Sequence, residues 1–442
     1  MINLSCLKGY KIGVFGLGKS GKATVAALQK AGALVIAYDD SVILDKDDYI
    51  VPIDQKIWTE IHFLILSPGI SLAHPIAKLA YSNNIKIIGD IELLYKARNQ
   101  ATFIGITGTN GKSTTTSLIG HIIKTINPTA EIGGNIGVPV LSLKEVDCYI
   151  LELSSFQLEL IDSLRFNIAV ILNITKDHLD RHLSMENYIQ AKINIIKNKP
   201  DYLIINIDND ITKKIAEEFA GKMKIIPIST EIKLEEGISF LDDNIIYHNN
   251  KPIEIGVLKY LPGKHNRENI AASFAAALAY NVPIDNIISA LYTFKGLEHR
   301  AELVSTYKNL TFINDSKATN AEASKGALLA FDNIYWIVGG VPKEGGIDQL
   351  IPLFGKVKEA FLIGKSSKEF GEVCLKNNLA HQYCDNLKNA FKLASMNALK
   401  THEDAVILLS PACASYDQWQ NFEERGYAFK KLVSDIYIIS SV

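Results

Sequence analysis

The stretch FIGITGTNGKST at positions 103–114 constrains this chain more than any other. An apolar run with Phe103, Ile104 and Ile106 enters a glycine turn, and the turn ends in Gly111-Lys112-Ser113-Thr114 where a helical pattern begins. A strand feeding a helix through small residues brings backbone N–H groups, a lysine and a hydroxyl to one anion. The pattern predicts a phosphate-binding loop that takes a nucleoside triphosphate. Its spacing is compressed: Ile106 stands where the strict motif has its first glycine, and Gly108 is the nearer one.

With 442 residues, of which 48% are hydrophobic, the chain can fill two or three cores. A net charge of −2 without a basic arm argues against a nucleic-acid partner. The N-terminal residues run straight into a strand pattern, and no apolar run has the length of a membrane span. Cys6, Cys148, Cys374, Cys384 and Cys413 form no CxxC pair, so reduced thiols and a cytoplasmic location are expected.

Three segments follow from the pattern. Residues 11–40 give strand, Gly16-x-Gly18-x-x-Gly21, helix, strand and Asp39, the order of a dinucleotide-binding unit. A nicotinamide-dependent oxidoreductase is open at this point. A second segment holds the phosphate loop, strand-like runs at 148–153, 168–174 and 202–207, a small β excursion after Ile225 and a helix near 266–280. A third has strands at 310–314, 334–338, 359–363 and 405–409, each ending in a polar loop. The expected fold is α/β in three domains: a Rossmann-like domain at 1–90, a central P-loop ATPase-like domain with a mostly parallel sheet at 91–298, and a Rossmann-like α/β domain at 299–442.

Several side chains stand where chemistry is expected, beyond the carboxyl ends of strands. Glu152 ends CYILEL and reads either as a Mg²⁺ ligand or as a strand-end charge. His178 follows the next strand and reads as a ligand or as a capping residue. Lys192 shares a helix face with Tyr188 and Ile195; spacing alone favours a snorkelling surface lysine. Asp315, Lys317 and Thr319 crowd one strand exit, with Lys343 and Ser415 at two more. Three loops with cationic and hydroxyl groups suit an anionic substrate.

The motifs GLGKSG (16–21), SPGI (67–70), GTNGKST (108–114), GGNIGVP (133–139), ELSSFQLE (152–159), NITKDHLDRH (173–182), HR (299–300), NDSKATN (314–320) and LSPACASYDQWQNFEERG (409–426) together resemble the Mur ligase family, along the whole chain and in order. The last two are most like members that add D-glutamate, and the DNPR motif of the diamino-acid-adding members is absent. The resemblance implies an ATP-dependent ligase of peptidoglycan precursor synthesis. Its substrates would be UDP-N-acetylmuramoyl-L-alanine, D-glutamate and ATP, with two Mg²⁺ ions and an acyl-phosphate intermediate. It also implies a monomer. An L-alanine-adding or folylpolyglutamate-synthase-like ligase, or a nucleotide switch, is the alternative.

The resemblance further implies roles. Gly108, Thr109, Asn110, Gly111, Lys112, Ser113 and Thr114 would hold the ATP phosphates, and Asn266, Asn269, Arg300 and Asp315 the adenosine part. Ser113 and Glu152 would hold one metal ion; His178 and a carbamylated Lys192 would hold the second. Gly18, Lys19, Ser20, Gly69, Asn135, Gln157 and His178 would bind the UDP substrate. Lys317, Thr319, Lys343, Ser415 and Phe422 would position D-glutamate, with Lys112, His178, Lys192, Lys317 and Lys343 closest to catalysis. Relatives often carry Thr-Arg after the first-domain acid, the Arg gripping the uridine nucleotide; this chain has Asp40-Ser41.

Overall fold

A computed structural model describes residues 2–41, 49–53, 55–242, 244–258, 260–261, 263–343 and 345–439. They fall into two compact units, Met1–Val257 with Arg267–Tyr292, and Leu258–Asn266 with Thr293–Val442.

The first unit holds two sheets. One contains β1 (Lys11–Phe15), β2 (Leu34–Tyr38), β3 (Phe63–Leu66) and β4 (Lys86–Ile88), all parallel, in the order β2-β1-β3-β4. The order reverses between β1 and β3, so a crevice opens beyond their carboxyl ends. The glycines of GLGKSG serve this point. Gly16 has φ +94°, and a Cβ on Gly21 would collide with the Gly16 carbonyl.

The second sheet contains β5 (Thr102–Thr107), β6 (Glu131–Gly134), β7 (Cys148–Glu152), β8 (Ile168–Ile171), β9 (Tyr202–Asn206), β10 (Lys224–Ser229), β11 (Ile238–Ser239), β12 (Ile245–His248) and β13 (Lys251–Glu254). The order is β13-β12-β11-β10-β9-β8-β5-β7-β6. It is parallel except for β11-β12-β13. The short hydrophilic strands expected after Ile225 therefore extend the same sheet. β5, β7 and β8 are buried on both faces, which is why their sequences are nearly continuous apolar runs. One apolar core runs under both sheets, from Ile12 and Val14 through Leu93 and Leu94 to Leu151 and Ile171.

The second unit carries β14 (Glu302–Tyr307), β15 (Leu310–Asn314), β16 (Ile334–Gly339), β17 (Val357–Ile363), β18 (His381–Asp385) and β19 (Ala405–Leu409), in the order β14-β15-β19-β16-β17-β18. Only the β14-β15 hairpin is antiparallel. Separate cores cover its faces, one around Trp336 and Leu362, the other around Phe312 and Phe361. Among the described residues no helix is long and apolar enough to cross a membrane. All five cysteines are free.

Candidate active site

The phosphate loop forms between β5 and the helix Lys112–Ile123. Gly111 caps that helix with φ +81°, and a side chain there would collide with Asn269 Oδ1. The loop is pinned from the β8 side. Thr109 N donates to Asn173 O (2.8 Å), Asn110 N to Asn173 Oδ1 (2.8 Å), and Thr109 Oγ1 lies 3.1 Å from the Tyr188 hydroxyl. Asn173 Nδ2 in turn donates to Glu268 Oε2 at 2.9 Å, and Asn206 Nδ2 to Glu268 Oε1 at 2.8 Å. Burial pushes the Glu268 carboxyl up, against the pull of those two amide donors. Asn173 and Glu268 were not singled out by sequence reasoning. The partners stand 95 residues apart, and no local pattern marks the pair.

Lys112 Nζ donates to the loop's own carbonyls, Gly108 O at 2.9 Å and Thr109 O at 2.8 Å. Ser113 is buried in the first helical turn. Thr114 lies half-buried beside it. Asn269 Oδ1 accepts from Thr115 Oγ1 at 3.1 Å, so this asparagine packs on the loop's helix.

Lys192 overturns the surface reading. It lies on the helix Met185–Ile193 and is 1% exposed, as is Tyr188 on the same face. Its side-chain nitrogen donates to Gly108 O at 2.7 Å and stands 4.7 Å from the Tyr188 ring centroid. Burial, and then the Lys112 charge, push the Lys192 amine well below the ordinary lysine range.

Glu152 closes β7. Its Oε1 accepts from Asn135 Nδ2 at 2.9 Å, while its Oε2 is buried with no hydrogen-bond partner. A buried carboxylate oxygen without a donor fits a cation ligand. No cluster of three or more His, Cys, Asp or Glu side chains suited to a metal occurs among the described residues, so a cation here would need a mixed donor set. His178 is exposed, in the left-handed region at φ 50°, with its ring 5.1 Å from Phe156. Gln157 uses its Oε1 in a capping box with Ser154.

In the first sheet's crevice, Leu17 N donates to Asp39 Oδ2, and Ser67 Oγ to Gly16 O at 2.8 Å. The glycine loop and the SPGI loop are thus bonded together. Gly18, Lys19 and Gly69 are exposed at this edge, while Ser20 hydrogen-bonds the buried carboxyl of Asp90. Asp40 pairs with His74 Nε2 at 3.0 Å, and Ser41 bonds back to Asp39.

The second unit gathers the other set at its strand exits. Asp315 is buried; its oxygens accept from Ala301 N (3.0 Å) and Ser410 Oγ (2.7 Å), and burial pushes its carboxyl up to about 7. Arg300 is exposed between His299 (φ 64°) and Ala301 (φ 43°). Asn266 is buried in this unit as well. Lys317 Nζ stands 5.1 Å from the Phe422 ring centroid, Thr319 is half-buried beside it, and Ser415 is buried. Lys343 is exposed in the loop after β16.

Residues 106–277 match the family described as Mur ligase middle domain. A UDP-N-acetylmuramoylalanine–D-glutamate ligase of Rickettsia prowazekii is 42% identical, covering 97% of this chain and 99% of the relative. Ligases of the same name from Wolbachia pipientis wMel and Rhodospirillum rubrum are each 40% identical, over 98% and 99% of this chain and 98% and 97% of the relatives. The fold matches the UDP-N-acetylmuramate-alanine ligase of Thermotoga maritima at TM-score 0.62, 17% identity, 96% of this chain and 99% of that one. It also matches the MurF ligase of Thermotoga maritima in complex with ADP at TM-score 0.60, 17% identity, 98% and 97%. Phosphate loop, three α/β sheets and end-to-end likeness agree: the chain belongs to the Mur ligase family, in the group of UDP-N-acetylmuramoylalanine–D-glutamate ligases.

Proposed function

We propose that this chain is an ATP-dependent amide ligase that adds D-glutamate to UDP-N-acetylmuramoyl-L-alanine in peptidoglycan precursor synthesis. The observation that carries the reading is the end-to-end match to relatives of that name. The phosphate loop supplies the matching chemistry.

In this reading the terminal carboxylate of the UDP substrate attacks the γ-phosphate of ATP. An acyl phosphate forms and ADP departs. The free amine of D-glutamate then attacks the acyl carbon, phosphate leaves, and an amide remains. The loop N–H groups from Gly108 to Thr114 and the Lys112 ammonium balance charge on the transferring phosphoryl group. Ser113 and Glu152 would hold one Mg²⁺, and His178 with a carbamylated Lys192 a second. Bound there, the ions would neutralise phosphate charge. The buried Lys192 amine supports carbamylation, because only a neutral amine adds CO₂ and burial favours the neutral form. Asn266, Asn269, Arg300 and Asp315 would take the adenosine part. The glycine loop from Gly18 to Ser20, Gly69, Asn135, Gln157 and His178 would orient the UDP substrate. Lys317, Thr319, Lys343, Ser415 and Phe422 would orient D-glutamate, so that its amine meets the activated carbonyl.

The same reading takes domain boundaries near residues 90 and 298, a monomer, and a cytoplasmic site of action. The test is phosphate release from Mg-ATP with UDP-N-acetylmuramoyl-L-alanine, with and without D-glutamate, beside L-glutamate and L-alanine. Release that requires both substrates, with an amide product by mass, is expected. Release with another amino acid instead would discard the acceptor.

A further inference from the structure

Arg425 lies three residues into the helix Phe422–Ile439 and is 0% exposed, although arginine is among the residues least often buried. Its guanidinium is shared between two loops. Nε donates to Ser316 Oγ at 3.0 Å, and Nη2 donates to Ser316 O at 2.8 Å and Cys413 O at 3.1 Å. Nη1 is buried and has no hydrogen-bond partner. Ser316 sits between Asp315 and Lys317 at the exit of β15, and Cys413 lies two residues before Ser415 at the exit of β19.

The connection continues to a third loop. Ala414 and Val341 exchange backbone hydrogen bonds of 2.9 and 3.1 Å, which ties the β19 exit to the loop that carries Lys343. Gly340 leaves room for this arrangement. A Cβ there would stand 3.4 Å from Arg425 Nη1 and would collide with Ala414 O. Ser316 Oγ also donates to Phe422 O at 2.8 Å, so the helix start joins the same assembly. A planar fork reaches several acceptors in fixed directions, which a lysine point charge cannot reproduce.

We propose that Arg425 is a positioning residue for the amino-acid acceptor. It sets the mutual spacing of the loops that carry Lys317, Thr319, Ser415 and Lys343 without touching the acceptor. This rests on the reading of those residues as the D-glutamate pocket.

The test uses full-length Arg425→Lys, Arg425→Ala and Ser316→Ala. Two quantities are measured. One is acyl-phosphate formation from ATP and UDP-N-acetylmuramoyl-L-alanine without D-glutamate, trapped as the hydroxamate with hydroxylamine. The other is kcat and KM for D-glutamate. In Arg425→Lys the KM for D-glutamate should rise about tenfold or more, in line with loss of charged hydrogen bonds. Hydroxamate formation and the KM for ATP should stay within about twofold. Ser316→Ala should shift the D-glutamate KM in the same direction by less. If Arg425→Ala does not fold, the other two variants decide. An unchanged D-glutamate KM in both, or hydroxamate formation falling in parallel with it, overturns the proposal. Absence of hydroxamate from the unaltered enzyme would instead remove the reading beneath it.

Discussion

Lys112 and Lys192 share an acceptor: both side-chain nitrogens lie within hydrogen-bond distance of the Gly108 carbonyl oxygen, at 2.9 and 2.7 Å. Two ammonium charges converging on one dipole repel each other, and Lys192 is the more deeply buried. Burial and the Lys112 charge therefore both favour the neutral form of Lys192.

A buried lysine whose amine is pushed below the ordinary range makes stability depend on pH in a definite direction. The unfolded chain holds the lysine proton more tightly than the folded Lys192 does, so this residue costs stability below the ordinary lysine range, and the cost fades as pH rises. In carbonate-free buffer, Lys192→Met should raise Tm at pH 7, and the gain should shrink toward pH ~10. A gain that is constant across that range would contradict the downward shift of the amine.

Loss of the Lys112 cation should stop phosphoryl transfer without unfolding the chain. Lys112→Ala is expected to lower the rate of ADP formation by about 10³-fold or more. Circular dichroism should be unchanged, since the side chain is only half-buried. Turnover within tenfold of the unaltered enzyme would remove the loop from the chemistry.

Glu152 Oε2 is buried without a hydrogen-bond donor, which is an unfavourable arrangement for a carboxylate oxygen. Glu152→Gln should keep the Asn135 contact and raise Tm in the absence of Mg²⁺ by relieving that penalty. It should also raise the Mg²⁺ concentration needed for half-maximal activity by about 10–100-fold. Calorimetry with and without Mg²⁺, beside a Mg²⁺ titration of ADP formation, reads both effects; a lower Tm in metal-free buffer would contradict the first.

Asp315 works in the opposite sense to Lys192. Burial raises its carboxyl to about 7, so between pH ~4 and 7 the folded chain keeps a proton that the unfolded chain has released. Its contribution to stability therefore falls as pH rises through that window. The Tm of Asp315→Asn relative to the unaltered protein should climb from pH 4 to 7 and level off above it. A difference that does not vary with pH would show that the carboxyl titrates normally.

Much of the fold was legible because turns advertise themselves. Gly16, Gly21 and Gly111 stand where a Cβ would be strained or would strike a neighbour, and their spacing located both nucleotide-type loops. Strands buried on both faces were equally plain as apolar runs. Lys192 was less so: helical spacing shows that Tyr188, Lys192 and Ile195 share a face, but what covers that face comes from β5 and the phosphate loop. The same holds for Asn173 with Glu268, and for Arg425, whose Ser316 partner is 109 residues away. Such pairs are made by sheet order, and sheet order is not written locally.

The Asp40–His74 pair has a pharmacological consequence. A ligase of the resembled pattern, with arginine two residues after the first-domain acid, would offer a guanidinium to an anionic uridine mimic where this chain has Ser41, next to Asp40. This chain offers the Asp40 carboxylate, paired with an imidazole. An inhibitor built around that arginine would lose its anchor and meet like charge, whereas one bearing a cationic or hydrogen-donating group would find a partner. Selectivity between the two kinds of enzyme can therefore be sought at this edge of the first sheet, away from the phosphate loop.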